Sequence, residues 1–185
     1  MELSATAYVI LGMLAWQPMS GYDIKGIVDK STRFFWAASY GQIYPELRRL
    51  AEAGLVEGEA EAGSGRRRNV YRLTTPGREA LEDWLAEEPQ TFETRDEALL
   101  KLFFASAAPE TGATSLDAKR HYHEAKLKQL RAIEAAGRPS GFTGLVLRFG
   151  IESSEWTIEW CAREAERLRE APPEGAPRRR RPARR

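Results

Sequence analysis

Cysteine is nearly absent from this chain: Cys161 is the only one in 185 residues. An internal disulfide framework is therefore excluded, and a reducing compartment, the cytoplasm, is expected. No apolar run approaches the roughly 18–20 residues that cross a bilayer. The apolar N-terminal segment carries Glu2 where a secretory signal has basic residues. We therefore predict neither a membrane anchor nor a membrane partner.

Catalytic and metal-binding patterns are also missing from the sequence. There is no glycine-rich phosphate loop, no metal-ligand spacing and no nucleophile beside a candidate base. His121 and His123 are two positions apart on a predicted helix, where their side chains diverge. An enzyme is therefore not expected, and neither is a cofactor or a metal ion.

The net charge of +1 is small because two unequal parts of the chain offset each other. Of the 28 Lys and Arg and the 27 Asp and Glu, six Arg and one Glu lie in 172–185, so the remainder carries −4. Contact with DNA must then come from local basic clusters, because the total charge does not favour it. The Arg/Pro-rich end, 171–185, has low complexity and is predicted to be disordered.

Three helices are predicted in the first third of the chain. The segment ELSATAYVILGML has an apolar stripe with helical spacing. The second helix opens at Ser20 and the third at Ser39, because Asp23 and Gln42 follow three residues later as in a capping box. The third helix is expected to end at Gly54, since glycine is the usual residue beyond a helix C-terminus.

A β-hairpin and a fourth helix follow these three helices. LVEGEAEAG and NVYRLT have strand character, and the basic, glycine-containing turn GSGRRR joins them. Thr75 is predicted to cap the fourth helix, with Pro76 at its first position. This order of elements is that of a winged helix-turn-helix, in which the third helix enters the major groove and the hairpin is the wing. We assign residues 1–88 to such a DNA-binding domain.

The second half of the chain is predicted to be entirely helical. Thr94 and Glu97 form a capping box before ALLKLFFA, whose apolar composition predicts a buried helix. A long helix over 114–137 and a last one from about Phe142 to Leu168 complete the predicted domain, 89–170. The expected fold is mainly α with a small β-hairpin wing, plus a C-terminal helical dimerisation domain.

The last helix carries two separate apolar stripes. A helix that is apolar over so wide an arc needs partners on more than one side. One neighbour from the same chain covers a single side, so we expect a homodimer; a monomeric helical bundle is the alternative. The predicted dimer interface comprises Leu127, Leu130, Phe142, Val146, Phe149, Trp156 and Trp160.

The third helix, SYGQIYPELRRL, contains a proline. With Ile43, Leu47 and Leu50 toward the core, the helical wheel turns Pro45 outward, together with Gly41 and Arg48. Proline removes a helical N–H and crowds the carbonyl four residues earlier, here that of Gly41. Two interpretations stay open at this point: Pro45 tilts the first turns of the helix, or the helix begins at Pro45.

These residues resemble the PadR-type transcriptional regulators. GYDIKGIVDKS, FFWAASYGQIYPELRRLAEAGLV and VYRLTTPGREALEDWL match that family in order and spacing. ALLKLFFA with two long helices resembles the family's form with the larger C-terminal domain. The resemblance implies a sequence-specific, DNA-binding transcriptional regulator: a dimeric bacterial repressor that releases operator DNA on binding a small effector.

The analogy and the helical wheel together assign the contacts with double-stranded operator DNA. Gln can pair with adenine through two hydrogen bonds, and Arg can bind guanine or phosphate. The assigned residues are Tyr40, Gln42, Tyr44, Arg48, Arg49, Arg66, Arg67 and Arg68, with packing as an alternative role for Tyr44.

A small aromatic or hydrophobic effector is the second expected partner. Trp36, Trp156 and Trp160 are the candidates to line its pocket, with core or interface packing as their alternative role. The alternative function is a winged-helix protein-interaction module that does not bind DNA. The basic turn and the two arginines of the third helix favour the DNA-binding function.

Overall fold

The computed structural model describes residues 3–34, 39–61, 68–89, 95–137 and 139–170. The chain forms two units, Met1–Phe92 and Glu93–Arg185, and each has its own hydrophobic core. Helices dominate both units, and the described strands form one small antiparallel sheet in the first. The predicted fold class is confirmed.

The first unit contains the elements of a winged helix-turn-helix. In chain order they are α1 Ala5–Trp16, β1 Met19–Ser20, α2 Gly21–Val28, a 3₁₀ turn Thr32–Phe34, α3 Tyr40–Glu52, β2 Val56–Glu61, β3 Arg68–Leu73 and α4 Thr75–Ala86. Side chains from α1, α2, α3, β1, β2 and α4 meet in one core. The three helices and the hairpin therefore pack as a single body.

The sheet has one strand more than the sequence predicted. Its order is β1-β3-β2, all antiparallel, and β2 pairs with β3 over their full lengths. Met19 lies opposite Tyr71, and Ser20 lies opposite Val70. A strand of two residues has no periodicity, so β1 leaves no signal in the sequence. It attaches the start of α2 to the wing.

The predicted helix ends hold for α2 and α3. Ser20 caps α2, and its backbone N–H donates to Asp23 Oδ2 at 3.1 Å in the expected capping box. Ser39 caps α3, and Gly54 follows that helix with the left-handed φ of 71° that favours glycine.

Two predicted caps were placed on the wrong residue. The cap of α4 is Thr74 and not Thr75, because the Thr74 hydroxyl accepts from the Gly77 N–H at 3.1 Å. The cap of α5 is Asp96, whose Oδ1 accepts from the Leu99 N–H at 3.0 Å. Thr94, the predicted cap of α5, lies outside the described residues.

The second unit is a helical hairpin with a shorter helix beside it. Its elements are α5 Glu97–Phe103, 3₁₀ turns Ala105–Ala107 and Pro109–Thr111, α6 Gly112–Gly137 and α7 Gly141–Glu170. The long helices run antiparallel, since Arg169 of α7 pairs with Asp117 of α6, and Arg131 pairs with Glu155 at 2.6 Å. The buried cluster of this unit is Leu116, Cys161 and Ala165.

The prediction that α5 is buried was wrong for the single chain. None of its residues is buried, and Phe103 is 80% exposed. The apolar composition of ALLKLFFA was read as burial within the chain, but the packing of α5 on α6 leaves much of α5 in solvent.

The two apolar stripes of α7 have different surroundings. Ile151 and Cys161, on one stripe, are buried, and Gly150 beside them meets Leu130 of α6. Phe142 and Phe149, on the other stripe, are 88% and 74% exposed. The chain itself therefore covers one stripe and leaves the other in solvent. Among the described residues, no helix combines the length and the apolar character needed to span a membrane.

A small titratable cluster lies at the start of α5 and on α6. Burial raises the pKa of Asp96. Two hydrogen bonds to its carboxylate, one from Lys119 and one from the Leu99 N–H, outweigh burial and lower the pKa. Burial and the nearby charges of Lys119 and Lys126 lower the pKa of His123, with Asp96 opposing them. His123 Nδ1 is buried without a hydrogen-bond partner among the described residues. The neutral imidazole is therefore the form that this packing favours.

We predict that Gly77→Ala unfolds at much lower urea concentration than the native chain. A Cβ at Gly77 would lie 2.0 Å from the Leu55 carbonyl oxygen, so the start of α4 would be forced off the loop before β2. We expect a loss of about 3 kcal/mol in the free energy of unfolding. Gly26→Ala is the matched control, because no atom lies within 4 Å of a Cβ there. Equal unfolding midpoints for the two variants would contradict the predicted clash between residue 77 and the Leu55 carbonyl.

We predict that acid destabilises the second unit partly through His123. The proton binds His123 more tightly in the unfolded chain, because the folded pKa lies below the ordinary 6.5. Its contribution to stability is thus complete above pH 6.5 and is lost as the pH falls toward the folded pKa. The melting temperature should fall less between pH 7.5 and 5.5 in His123→Gln than in the native chain. His121→Gln, an exposed neighbour, should follow the native curve; identical curves for all three would refute the role of His123.

Candidate nucleic-acid interface

Helix α3 lies with one face in the core and the opposite face in solvent. Ile43, Leu47 and Leu50 are fully buried. Gly41 and Pro45, on the other side, are exposed, as the helical wheel predicted. The helix begins at Tyr40 and runs through Pro45, so the alternative that it begins at Pro45 is wrong. The N–H that proline lacks would have bonded the Gly41 carbonyl, and Gly41 is an exposed residue that water can reach.

Gln42 is exposed on α3, but one of its polar atoms is engaged. The Ser39 backbone N–H donates to Gln42 Oε1 at 2.9 Å, and the Ser39 hydroxyl lies 3.2 Å from the same oxygen. Pairing with adenine through two hydrogen bonds uses both the oxygen and the nitrogen of a glutamine amide. With the cap intact, the Gln42 amide nitrogen remains as a donor, so the side chain suits an acceptor on DNA.

Tyr44 has the packing role that the sequence left open as an alternative, and part of its side chain remains in solvent. Its ring lies over Gly21, the first residue of α2, where a Cβ would come within 2.8 Å of Tyr44 Cε1. The side chain nevertheless remains 43% exposed. The ring of Tyr44 therefore limits how closely α2 approaches α3 at Gly21.

Arg48 and Arg49 are both exposed but have different neighbours. Arg48 has no side-chain partner in the part of the chain that the structure describes. Arg49 Nη1 donates to Glu46 Oε2 at 3.0 Å, and Glu46 is only 8% exposed. The hydroxyl of Ser4 donates to Glu46 Oε1 at 3.0 Å, so this carboxylate also reaches the start of α1.

The sequence analysis did not single out Glu46, which the structure places between Ser4 and Arg49. A signal was available, because Glu46 lies next to Leu47 in sequence and three residues from Ile43 and Arg49, at the border of the buried face. A carboxylate at such a border needs a partner, since an unpaired buried charge is costly.

The structure describes the two strands of the wing, β2 and β3. Arg68 begins β3 opposite Glu61, and Arg72 pairs with Glu59 across the hairpin at 3.9 Å. Arg66 and Arg67 lie outside the described residues, as do Trp36 and the Arg/Pro-rich end. The side chains of Tyr40 and Arg68 are likewise outside the description.

The residues predicted to form a dimer interface lie in two environments. Phe142, Val146, Phe149 and Trp156 are exposed on α7. Leu127 and Trp160 are half-buried, and Leu130 is buried within the protomer. Trp156 and Trp160 stack with ring centroids 6.1 Å apart. The described residues contain no group of acidic, histidine or cysteine side chains that would hold a metal ion.

The profile of the transcriptional regulator PadR-like family matches residues 10–83, which contain α2, α3, the wing and most of α1 and α4. A second profile, virulence activator alpha C-term, matches residues 94–169. The two matches together cover both units of the fold.

Individual relatives agree with these matches. The negative transcriptional regulator PadR of Bacillus subtilis is 31% identical over 166 residues, which are 83% of this chain and 91% of that protein. The structure of B. subtilis PadR with operator DNA has a TM-score of 0.79 at 28% identity, over 89% of this chain and 99% of that one. Its structure with p-coumaric acid has a TM-score of 0.71 at 29% identity, over 88% and 97%. Members of this family are transcriptional regulators and not enzymes, and the present chain belongs to the PadR-like family of transcriptional regulators.

Proposed function

We propose that this chain is a homodimeric repressor that binds operator DNA and releases it when a small effector binds. The observation that carries the proposal is the face of α3 that bears Arg48 and Arg49, held outward by the burial of Ile43, Leu47 and Leu50. The direction of regulation is supported by the relative from B. subtilis, a negative transcriptional regulator.

In the proposed complex, the first turns of α3 face the base edges in the major groove. A helix placed this way reads bases through its N-terminal residues, while side chains further along meet the backbone. Tyr40, Gln42 and Tyr44 at the helix start are assigned to base edges in the groove or to phosphates. Arg48 and Arg49 are assigned to phosphate or guanine, and Arg66, Arg67 and Arg68 of the wing to the backbone or the minor groove.

The charge distribution supports specific rather than general binding to DNA. The chain without its Arg-rich end carries −4, so its overall field opposes approach to a polyanion. Attraction then depends on the few arginines of α3 and the wing. Because each phosphate contact displaces counterions, binding through these arginines should weaken steeply as salt concentration rises.

The exposed apolar side chains of the second unit support dimerisation. Phe103 of α5 and Phe142, Phe149 and Trp156 of α7 are all more than 60% exposed. Monomeric proteins rarely leave large apolar patches in solvent, and such patches mark interaction surfaces. We propose that a second copy of the chain covers these side chains, which would also place two copies of α3 on two half-sites of one operator.

The proposed effector is a small aromatic molecule. The relative from B. subtilis has been solved with p-coumaric acid, an aromatic acid. In the present chain, Trp156 and Trp160 offer stacked rings on α7, and Trp36 is the third candidate for the pocket. The proposed place of action is the cytoplasm, where a bacterial operator is found.

We predict that Arg48→Ala weakens binding to the operator by about tenfold, because one charge-assisted contact with DNA is lost. The probe is the duplex that spans the intergenic region upstream of the gene for this chain, and the readout is its dissociation constant at fixed salt. Arg167→Ala, an exposed arginine of α7, is the control and should bind as the native chain does. Binding that ignores both the sequence of the duplex and Arg48→Ala would contradict the repressor function, and absence of binding to any duplex would favour the protein-interaction module.

We predict that Phe149→Glu converts the dimer into a monomer, because it places a charge on the exposed apolar stripe. Light scattering should give the mass of one chain, while circular dichroism shows unchanged helix content. Arg148→Glu changes the adjacent exposed residue and should leave the mass of two chains. A dimeric Phe149→Glu chain would mean that the interface lies elsewhere.

A further inference from the structure

Glu46 is an unexpected residue on a helix proposed to meet DNA. Its carboxylate opposes approach to phosphates, and it is buried on the flank of α3 instead of lying in solvent. Burying a carboxylate costs free energy unless hydrogen bonds compensate it. The Glu46 carboxylate therefore costs free energy on burial and also weakens the attraction of α3 to DNA. We look for its role in the contacts that it makes.

The contacts of Glu46 indicate that role. Oε1 accepts from the Ser4 hydroxyl at 3.0 Å, and Ser4 in turn caps α1 by accepting from the Ala7 N–H at 3.1 Å. Oε2 accepts from Arg49 Nη1 at 3.0 Å, with Oε1 at 3.4 Å from the same nitrogen. The carboxylate is thus held from one side by α1 and holds Arg49 on the other.

The bond to Glu46 uses a single nitrogen of the Arg49 guanidinium. Nε and Nη2 have no partner in the described part of the chain, and the side chain is 51% exposed. These two nitrogens donate along one edge of the planar guanidinium, an edge that matches two oxygens of a phosphate. Arg48 has no such ion pair among the described residues, so fixing its side chain on DNA costs more conformational entropy.

We propose that Glu46 is a positioning residue for DNA binding, which holds Arg49 by Nη1 so that Nε and Nη2 face one backbone phosphate of the operator. This proposal rests on the proposed function. A phosphate is favoured over a base, because Arg49 lies on the shoulder of α3 beside the start of α1, away from the outward face of Gly41 and Pro45. Phosphate contacts fix the register of a protein on the duplex.

A fixed arginine and a buried carboxylate should affect specific and non-specific complexes differently. The held orientation helps only where a phosphate occupies the matching position, as it does when α3 is in register with its operator. The negative charge weakens attraction to every duplex. Glu46 should therefore raise the ratio of operator affinity to non-specific affinity, although it lowers the charge attraction itself.

A double-mutant cycle tests the proposal. The variants are Glu46→Gln, Arg49→Gln and the pair together, with Glu46→Gln in an Arg48→Gln background as the matched control. Each full-length variant is titrated with the upstream intergenic duplex and with a scrambled duplex of the same composition, at several salt concentrations. Gln at 46 keeps an oxygen that can accept from Ser4 while it removes the charge that holds Arg49.

We expect Glu46→Gln to weaken operator binding about fivefold and to leave binding of the scrambled duplex unchanged or tighter. The loss should vanish when Arg49 is already Gln and should persist when Arg48 is Gln. In the chain without DNA, NMR relaxation of the Arg49 Nε–H should show greater mobility in Glu46→Gln, with Arg48 unchanged. A purely structural role for Glu46 would lower affinity for both duplexes in proportion and would not depend on Arg49.

Two results would overturn the proposal: an equal operator loss in the Arg49→Gln background, or tighter operator binding by Glu46→Gln. If Glu46→Gln does not fold, Glu46→Asp replaces it in the cycle. The shorter carboxylate keeps its charge but cannot hold Arg49 in the same place, so operator binding should weaken with no gain on the scrambled duplex. A native chain that binds both duplexes equally refutes the repressor function independently of the cycle, and one that binds neither overturns both proposals.

Discussion

The burial of Ile43, Leu47 and Leu50 beneath α1 and α2 is the contact on which the proposed DNA-binding face of α3 depends. These three side chains fix the rotation of α3 about its own axis, and they thereby decide which residues face solvent. Pro45 and Gly41, which would be costly in the middle of a packed helix, lie on the side where water can satisfy the disturbed backbone. The proline is tolerated because the core face does not involve it.

In the first unit, the charged residues of α3 are governed by their immediate neighbours rather than by the net charge of the chain. The chain is acidic apart from its Arg-rich end, and even the exposed arginines of α3 are not equivalent. Arg48 has no side-chain partner among the described residues, whereas Arg49 forms an ion pair with Glu46. The Ser4 hydroxyl, at the start of α1, donates a hydrogen bond to Glu46. In the proposed role, a carboxylate that restrains an arginine favours selectivity among DNA sites over general attraction to DNA. It suits a protein whose DNA target is one site among many non-specific ones.

Much of the fold followed from patterns that carry a local physical cause. Helical spacing of apolar residues, the capping pair at Ser20 and the glycine at 54 each act within a few residues, and all three were confirmed. The failures lay where the cause is not local. Neighbouring threonines at 74 and 75 compete for one cap, β1 exists only through its pairing with β3, and composition could not tell which surface would cover α5. The Glu46 carboxylate belongs with these, because its partner Ser4 is 42 residues away.

Strand β1, although it is only two residues long, connects the wing to α2. Ser20 is at once its last residue, paired with Val70 of β3, and the N-cap of α2. No residue separates the strand paired with the wing from α2, and Tyr44 of α3 contacts Gly21, the first residue of α2. In the proposed complex with DNA, this connection between the wing strands and α2 sets the distance from the wing strands to α3. A duplex that is to meet both must itself supply the matching groove width, and the ease with which each base sequence deforms becomes part of what distinguishes one operator from another.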